Sequence, residues 1–269
     1  MNAEQFAKAV ALDVWPRSEF VDRYHDRPDL FVLECIEHKA DEGPTDYQLD
    51  NLRLLVEHGR LAVRGPHGLG KTTVEAWAIL WFALTRDLAG EDWKVPSTAG
   101  VLRQLDKYLW PEVHKWAKRL RWDLIGRGPF RAGRELTDLT LSLDHGEAFA
   151  ATSSEPEKIE GAHADEILLI ATEAQAISSD VFGAMAGYFS GAGADTKANA
   201  YALVQSTPGA PSGRFYEIHS RTGFEDWHTV HVTLDQVQQG SVTGLARTGD
   251  YEAFGWRNHA GFDPDQQNI

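Results

Sequence analysis

Residues Gly65 to Thr72 read GPHGLGKT, the pattern G-x-x-x-x-G-K-[ST], and no other stretch constrains the chain as tightly. A short apolar strand, RLAVRG, precedes it and a long apolar helix, KTTVEAWAILWFALTRD, follows. In that setting Gly68 and Gly70 let the backbone turn so that successive N–H groups point inward at phosphate oxygens. The helix from Lys71 aims the positive end of its dipole at the same place. Lys71 is expected to reach the β- and γ-phosphates, and the Thr72 hydroxyl to ligate Mg²⁺. Pro66, His67, Leu69 and Thr73 complete the expected cradle. The motif specifies a nucleoside triphosphate and leaves the reaction open.

The rest of the chain alternates around this motif. WKVPST, EILLIAT, NAYALVQST and WHTVHVTL read as strands, and ELTDLTLSL with EAFAATSS reads as a hairpin turning at DHG. Helical spacing falls between them, at YQLDNLRLLVEHG, at GVLRQLDKYLWPEVHKWAKRL with a break near Pro111, at SSDVFGAMAGYFSG and at GRFYEIHSRT. This predicts an α/β fold of the P-loop NTPase type: a mostly parallel central sheet with helices on both faces. Short helices at 4–12, 18–25 and 29–40 form a helical N-terminal extension, residues 1–45. The ATPase core is expected over 46–240, and 241–269 reads as a C-terminal linker.

Composition narrows the class. Of 269 residues 42% are hydrophobic and 25% charged, as in a soluble globular protein. A net charge of −14 argues against a protein that coats nucleic acid. The one basic concentration, Lys115 to Arg134, reads either as solvated helix and loop charge or as a local phosphate-contacting stripe. No membrane span or secretory signal is visible, and a single cysteine, Cys35, fits a reducing cytoplasm. His228 and His231 fall on opposite faces of a strand and cannot share one ion.

In a parallel sheet, ligands bind at the carboxyl ends of the strands. Two later strands end in polar residues. LLIATEAQ runs out into Glu173, placed to hold and polarise an attacking water. The position before it, where a second carboxylate would serve the metal, is Thr172, whose hydroxyl reaches a metal only weakly, through water. The other strand ends at Gln205, Ser206 and Thr207 before Pro208, a polar cluster able to sense a γ-phosphate. Upstream, Tyr47 is suited to stack on a base and Gln48 to read an adenine edge.

Taken in order, PTDYQLDNL, VRGPHGLGKTT, EGAHADEILLIATEAQAISSDVF and QSTPGAPSGRFYEI resemble the ATPase domain of phage terminase large subunits. That family packages double-stranded DNA into procapsids. The resemblance implies ATP and Mg²⁺ as ligands, with Tyr47 and Gln48 as the adenine-side motif and Gly65–Thr72 as Walker A. It implies Leu168–Glu173 as Walker B with Glu173 catalytic, and Ser206, Thr207 and Pro208 as the coupling motif. It also implies an arginine for transition-state charge, acting in cis or from a neighbouring subunit. Arg64, beside the loop, is the cis candidate, and Arg127, Arg131 and Arg134 are the candidates in trans. The implied partners are double-stranded DNA, the portal protein, the small terminase subunit and further copies in a homo-oligomeric ring, in the host cytoplasm.

Two departures stand out. The family's Walker B strand ends Asp-Glu and this one ends Thr-Glu. The family's C-terminal nuclease domain has no room after Thr233, so nuclease activity is not expected from this chain. Two other readings remain: a non-hydrolysing nucleotide-binding scaffold subunit, and a small-molecule kinase with Arg127–Arg134 as its lid.

Overall fold

The computed structural model describes residues 19–39, 43–152, 156–190, 199–220 and 222–233. The expected helix at 4–12 and the linker at 241–269 lie outside them. Seven strands form: β1 (Arg60–Arg64), β2 (Trp93–Ala99), β3 (Thr140–Ser142), β4 (Gly146–Thr152), β5 (Glu166–Thr172), β6 (Asn199–Ser206) and β7 (His228–His231). They make one sheet in the order β3-β4-β2-β5-β6-β1-β7. Every pairing is parallel except β3 with β4, the hairpin predicted at DHG.

Side-chain alternation sorts each strand between two cores. On one face Leu61, Val63, Leu168, Ile170 and Leu203 join Val74, Trp77 and Trp81 of the Lys71–Ala89 helix. On the other, Ala62, Leu169, Ala171 and Val204 join Val181 and Met185 of the Ser179–Ser190 helix and Phe215 of the Arg214–Ser220 helix. The same alternation places the polar strand ends. Thr172 and Gln205 continue the set facing the Lys71–Ala89 helix, whereas Arg64 and Ser206 continue the opposite set.

The Lys71–Ala89 helix is buried at every position from Val74 to Asp87. Each large apolar side chain there contributes roughly 1.5–3 kcal/mol, so the helix that starts at the glycine-rich loop is also the rigid spine of the domain. The helix stops at Gly90, a left-handed residue whose N–H is donated to the Arg86 and Asp87 carbonyls.

Two helices depart from expectation. The one predicted over 29–40 runs Pro28–Cys35. Beyond it the backbone pairs with another segment, Ile36 bridging Leu120 and Arg121 N–H donating to Cys35 O at 2.8 Å. Near Pro111 the break is a π-helical turn, Leu105–Leu109, followed by the helix Trp110–Ala117. Proline has no N–H to donate and its ring crowds the carbonyl four residues back, so a wider turn relieves both. Phe20, Tyr24 and Phe31 pack into the same core as the spine. No helix of the described residues is long and apolar enough to cross a membrane.

Candidate nucleotide site

The loop from β1 to the spine is shaped by two left-handed glycines, Gly68 at φ 80° and Gly70 at φ 70°. A Cβ on Gly70 would also come within 2.5 Å of Gln48 Nε2, so only glycine fits there. The Lys71 ammonium folds over the loop, donating to Pro66 O at 2.9 Å and Gly65 O at 3.4 Å. Burial lowers the Lys71 pKa, and the nearby charges of Glu173 and Glu75 oppose that shift. Thr73 donates to Glu112 at 2.8 Å, pinning the Trp110–Ala117 helix to the first turn of the spine.

Tyr47 and Gln48 brace the loop from behind. The Tyr47 hydroxyl donates to Leu69 O, and Gln48 Nε2 lies 3.3 Å from Leu69 O and 3.4 Å from Gly70 O. Gln48 Oε1 meanwhile accepts from Thr45 N–H at 2.9 Å, closing a capping box on the Asp46–His58 helix. Both ends of the Gln48 amide are thus engaged within the protein.

Strand order gives the site its logic. β6 lies between β1 and β5, so its end separates the loop from Glu173 and touches both. On one side Gly65 N–H donates to Ser206 O at 3.2 Å. On the other, the Ser206 and Thr207 hydroxyls lie 3.4 and 3.5 Å from Glu173 Oε2. Gln175 completes the lattice, its N–H 3.3 Å from Ser206 Oγ and its Nε2 3.4 Å from Thr207 Oγ1. Glu173 sits at φ 47°, the one non-glycine in the left-handed region among the described residues. Such a conformation costs on the order of 1–3 kcal/mol, and strain of this kind gathers at functional positions.

The structure adds Glu75, which is fully buried one turn into the spine. It shares a helix face with Lys71 and Thr72. Burial pushes its pKa up to about 8, with the Thr172 hydroxyl and Lys71 opposing the shift and Glu173 adding to it. The Thr172 hydroxyl is close enough to act on the carboxylate, yet neither Glu75 oxygen has a hydrogen bond of good geometry. Gln205 is similar: its Nε2 donates to Lys71 O at 3.3 Å while its buried Oε1 has no donor. Left-handed glycines over a helix start, with acceptor oxygens lacking donors just below, fit a magnesium-bound polyphosphate. Thr72, Glu75 and Thr172 are the side chains able to serve the cation.

No protein-family model matches the chain, and no curated protein matches it in sequence. Solved structures do. The large terminase from a thermophilic bacteriophage, in complex with ADP, matches with a TM-score of 0.51 and 14% identity, over 71% of this chain and 46% of that one. The α/β fold is shared with the matched part of that large terminase. The Thermus phage P74-26 large terminase ATPase domain matches with a TM-score of 0.49 and 16% identity, over 71% of this chain and 81% of that one. The chain spans about half the length of the ADP-bound terminase.

Within this terminase fold the candidate arginines separate. Arg64 is buried on the sheet face opposite the spine, its Nη2 3.3 Å from His231 Nδ1. Burial lowers its pKa to about 10 with the Tyr216 charge opposing, and burial, followed by the Arg64 charge, lowers the pKa of His219. Arg127 and Arg131 both pair with buried Glu135, at 3.0 and 2.5 Å. Arg134 is exposed, with no side-chain ion pair among the described residues. Cys35 is fully buried, and burial raises its pKa to about 12, as suits an inert core thiol. Sequence reasoning passed over Glu75, although the signal was there: a single acid in the run VEAWAILWF, three residues after Thr72.

Proposed function

We propose that this chain is the ATP-hydrolysing motor domain of a phage DNA-packaging terminase. The observation that carries the reading is the end of β6, whose Ser206 meets the glycine-rich loop through its carbonyl and Glu173 through its hydroxyl. ATP would lie with its phosphates on the loop N–H groups of Gly65–Thr73, Lys71 exchanging the Pro66 and Gly65 carbonyls for β- and γ-oxygens. The thermophilic phage terminase, which has this fold, was solved with ADP. Magnesium held at Thr72 would neutralise charge on the phosphates.

Glu173 would position and deprotonate the attacking water. Its carboxylate already shares a lattice with Ser206 and Thr207, so a shift on phosphate loss would pull on the segment running into Pro208 and the Arg214–Ser220 helix. That is a route from chemistry to movement of bound double-stranded DNA. Tyr47 and Gln48, seated on the loop, would report adenine-side occupancy through its backbone. Arg127 and Arg131 are committed to Glu135, which leaves Arg134 as the trans-acting candidate for a neighbour in a ring. Portal protein and small terminase subunit are the partners this role requires, in the host cytoplasm. Residues 1–45, 46–240 and 241–269 would serve as N-terminal extension, motor core and linker.

Thr172 favours one other reading, a subunit that binds ATP without hydrolysing it. Single-turnover phosphate release separates the two. The parent is expected to hydrolyse ATP, faster with double-stranded DNA, and Lys71→Ala to fall by ~10²–10³-fold. Binding without phosphate release would favour the scaffold, and an undiminished Lys71→Ala rate would show that the site is elsewhere.

A further inference from the structure

We propose that Glu75 is the second anionic group of the magnesium site, standing in for the carboxylate that β5 lacks at Thr172. The inference rests on the nucleotide reading above and goes further, because it moves a charge from a strand end to a helix. Thr172 follows Leu168 and Ile170 on the spine-facing side of β5, where Glu75 is fully buried with neither oxygen hydrogen-bonded. Helical side chains lean toward the helix N-terminus, so the Glu75 carboxylate extends toward Thr72 and Lys71, one turn above. A carboxylate at 172 would enter the same space from the opposite wall. One wall or the other would then supply the acid, and in this chain it is the helix.

Two further observations fit a cation nearby. Both Glu75 oxygens and Gln205 Oε1 are buried acceptors without donors, and Gln205 pairs in register with Thr172 on the adjacent strand. Lys71, the nearby cation, is turned to loop carbonyls. Buried acceptors in excess of donors match the needs of a hydrated Mg²⁺, which keeps its waters and takes few protein ligands. Glu75 is thus a positioning residue, acting on the cation held at Thr72.

The test is a binding titration with a fluorescent non-hydrolysable ATP analogue, run with Mg²⁺ and again with EDTA. The readout is the gain in affinity that Mg²⁺ confers, with circular dichroism confirming the fold of each variant. Glu75→Gln, which keeps size and shape, is expected to lose ~10–100-fold of that gain. Adding Thr172→Asp to Glu75→Gln is expected to restore the gain from the strand side. The inference fails if Glu75→Gln keeps the full gain, or if the double variant stays as low as the single one, since Glu75 then acts only through packing. A parent that binds no analogue under either condition overturns the nucleotide reading itself. A parent with a normal gain that Glu75→Gln leaves intact overturns this inference alone.

Discussion

The spine helix and β5 meet at both ends around buried charge, and the two ends are built differently. At the end far from the loop, Arg86 Nε lies 3.4 Å from Glu166, which also accepts from Asn199 Nδ2 at 2.5 Å. Arg86 Nη1 donates to His25 O at 2.5 Å, and its guanidinium lies over Trp81 and Phe82 at 4.8 and 4.5 Å. Burial raises the Glu166 pKa, against the Asn199 hydrogen bond and the Arg86 charge. This end is closed around its acid: Arg86 and Asn199 satisfy Glu166, while Arg86 Nη2 is left without a hydrogen-bond partner. At the loop end the acid is Glu75, its oxygens lack donors, and the cation beside it is engaged elsewhere. An acid buried without partners either carries a charge at a cost of several kcal/mol or holds its proton, and both are unfavourable for a carboxylate. A fold accepts such a cost where function requires it, and that contrast, more than burial itself, separates a structural carboxylate from a ligand-seeking one.

Breaking the closed end should cost stability outright. Arg86→Met leaves buried Glu166 with the Asn199 hydrogen bond but no counter-charge, and is expected to cost roughly 3–5 kcal/mol in urea unfolding. The folded fraction should still bind nucleotide with the parent affinity. If Arg86→Met lowers nucleotide affinity and leaves stability untouched, the two ends are not separate in function.

Relieving the open end should act in the other direction and depend on pH. With a folded pKa near 8 against an ordinary 4.5, Glu75 binds its proton more tightly in the folded state. Its contribution to stability is therefore fully present below about pH 4.5 and is lost as pH rises through 8. Glu75→Gln is expected to melt with the parent near pH 4.5 and to be more stable by roughly 4 kcal/mol at pH 8. A difference that stays constant with pH would mean that Glu75 has a partner and that the open end is closed after all.

Local pattern carried much of this architecture. The loop, its flanking strand and helix, the hairpin at DHG and the helix ending at Gly59 each depend on neighbours a few residues apart, and they are readable as such. Strand order is not local. That β6 lies between β1 and β5, and so joins loop to Glu173, depends on which strands pair across long stretches of chain. Arg64 shows the same limit. Adjacent to the loop in sequence, it is carried by strand alternation to the far face, among His231, His219 and Tyr216. Glu75 is the sharpest case, since its meaning comes from Thr172, which approaches it only when β5 packs on the spine. The π turn before Pro111 was visible as a break, but its form depends on backbone geometry that no residue type announces.

One measurement bears on the whole reading: a crystal structure grown with Mg²⁺ and a non-hydrolysable ATP analogue. The expected result is a triphosphate on the loop N–H groups of Gly65–Thr72, with Lys71 on its outer oxygens. The Glu173 carboxylate should stand one water away from the terminal phosphate, still in reach of Ser206 and Thr207. A loop without nucleotide, or a Glu173 turned away from the phosphate, would contradict it.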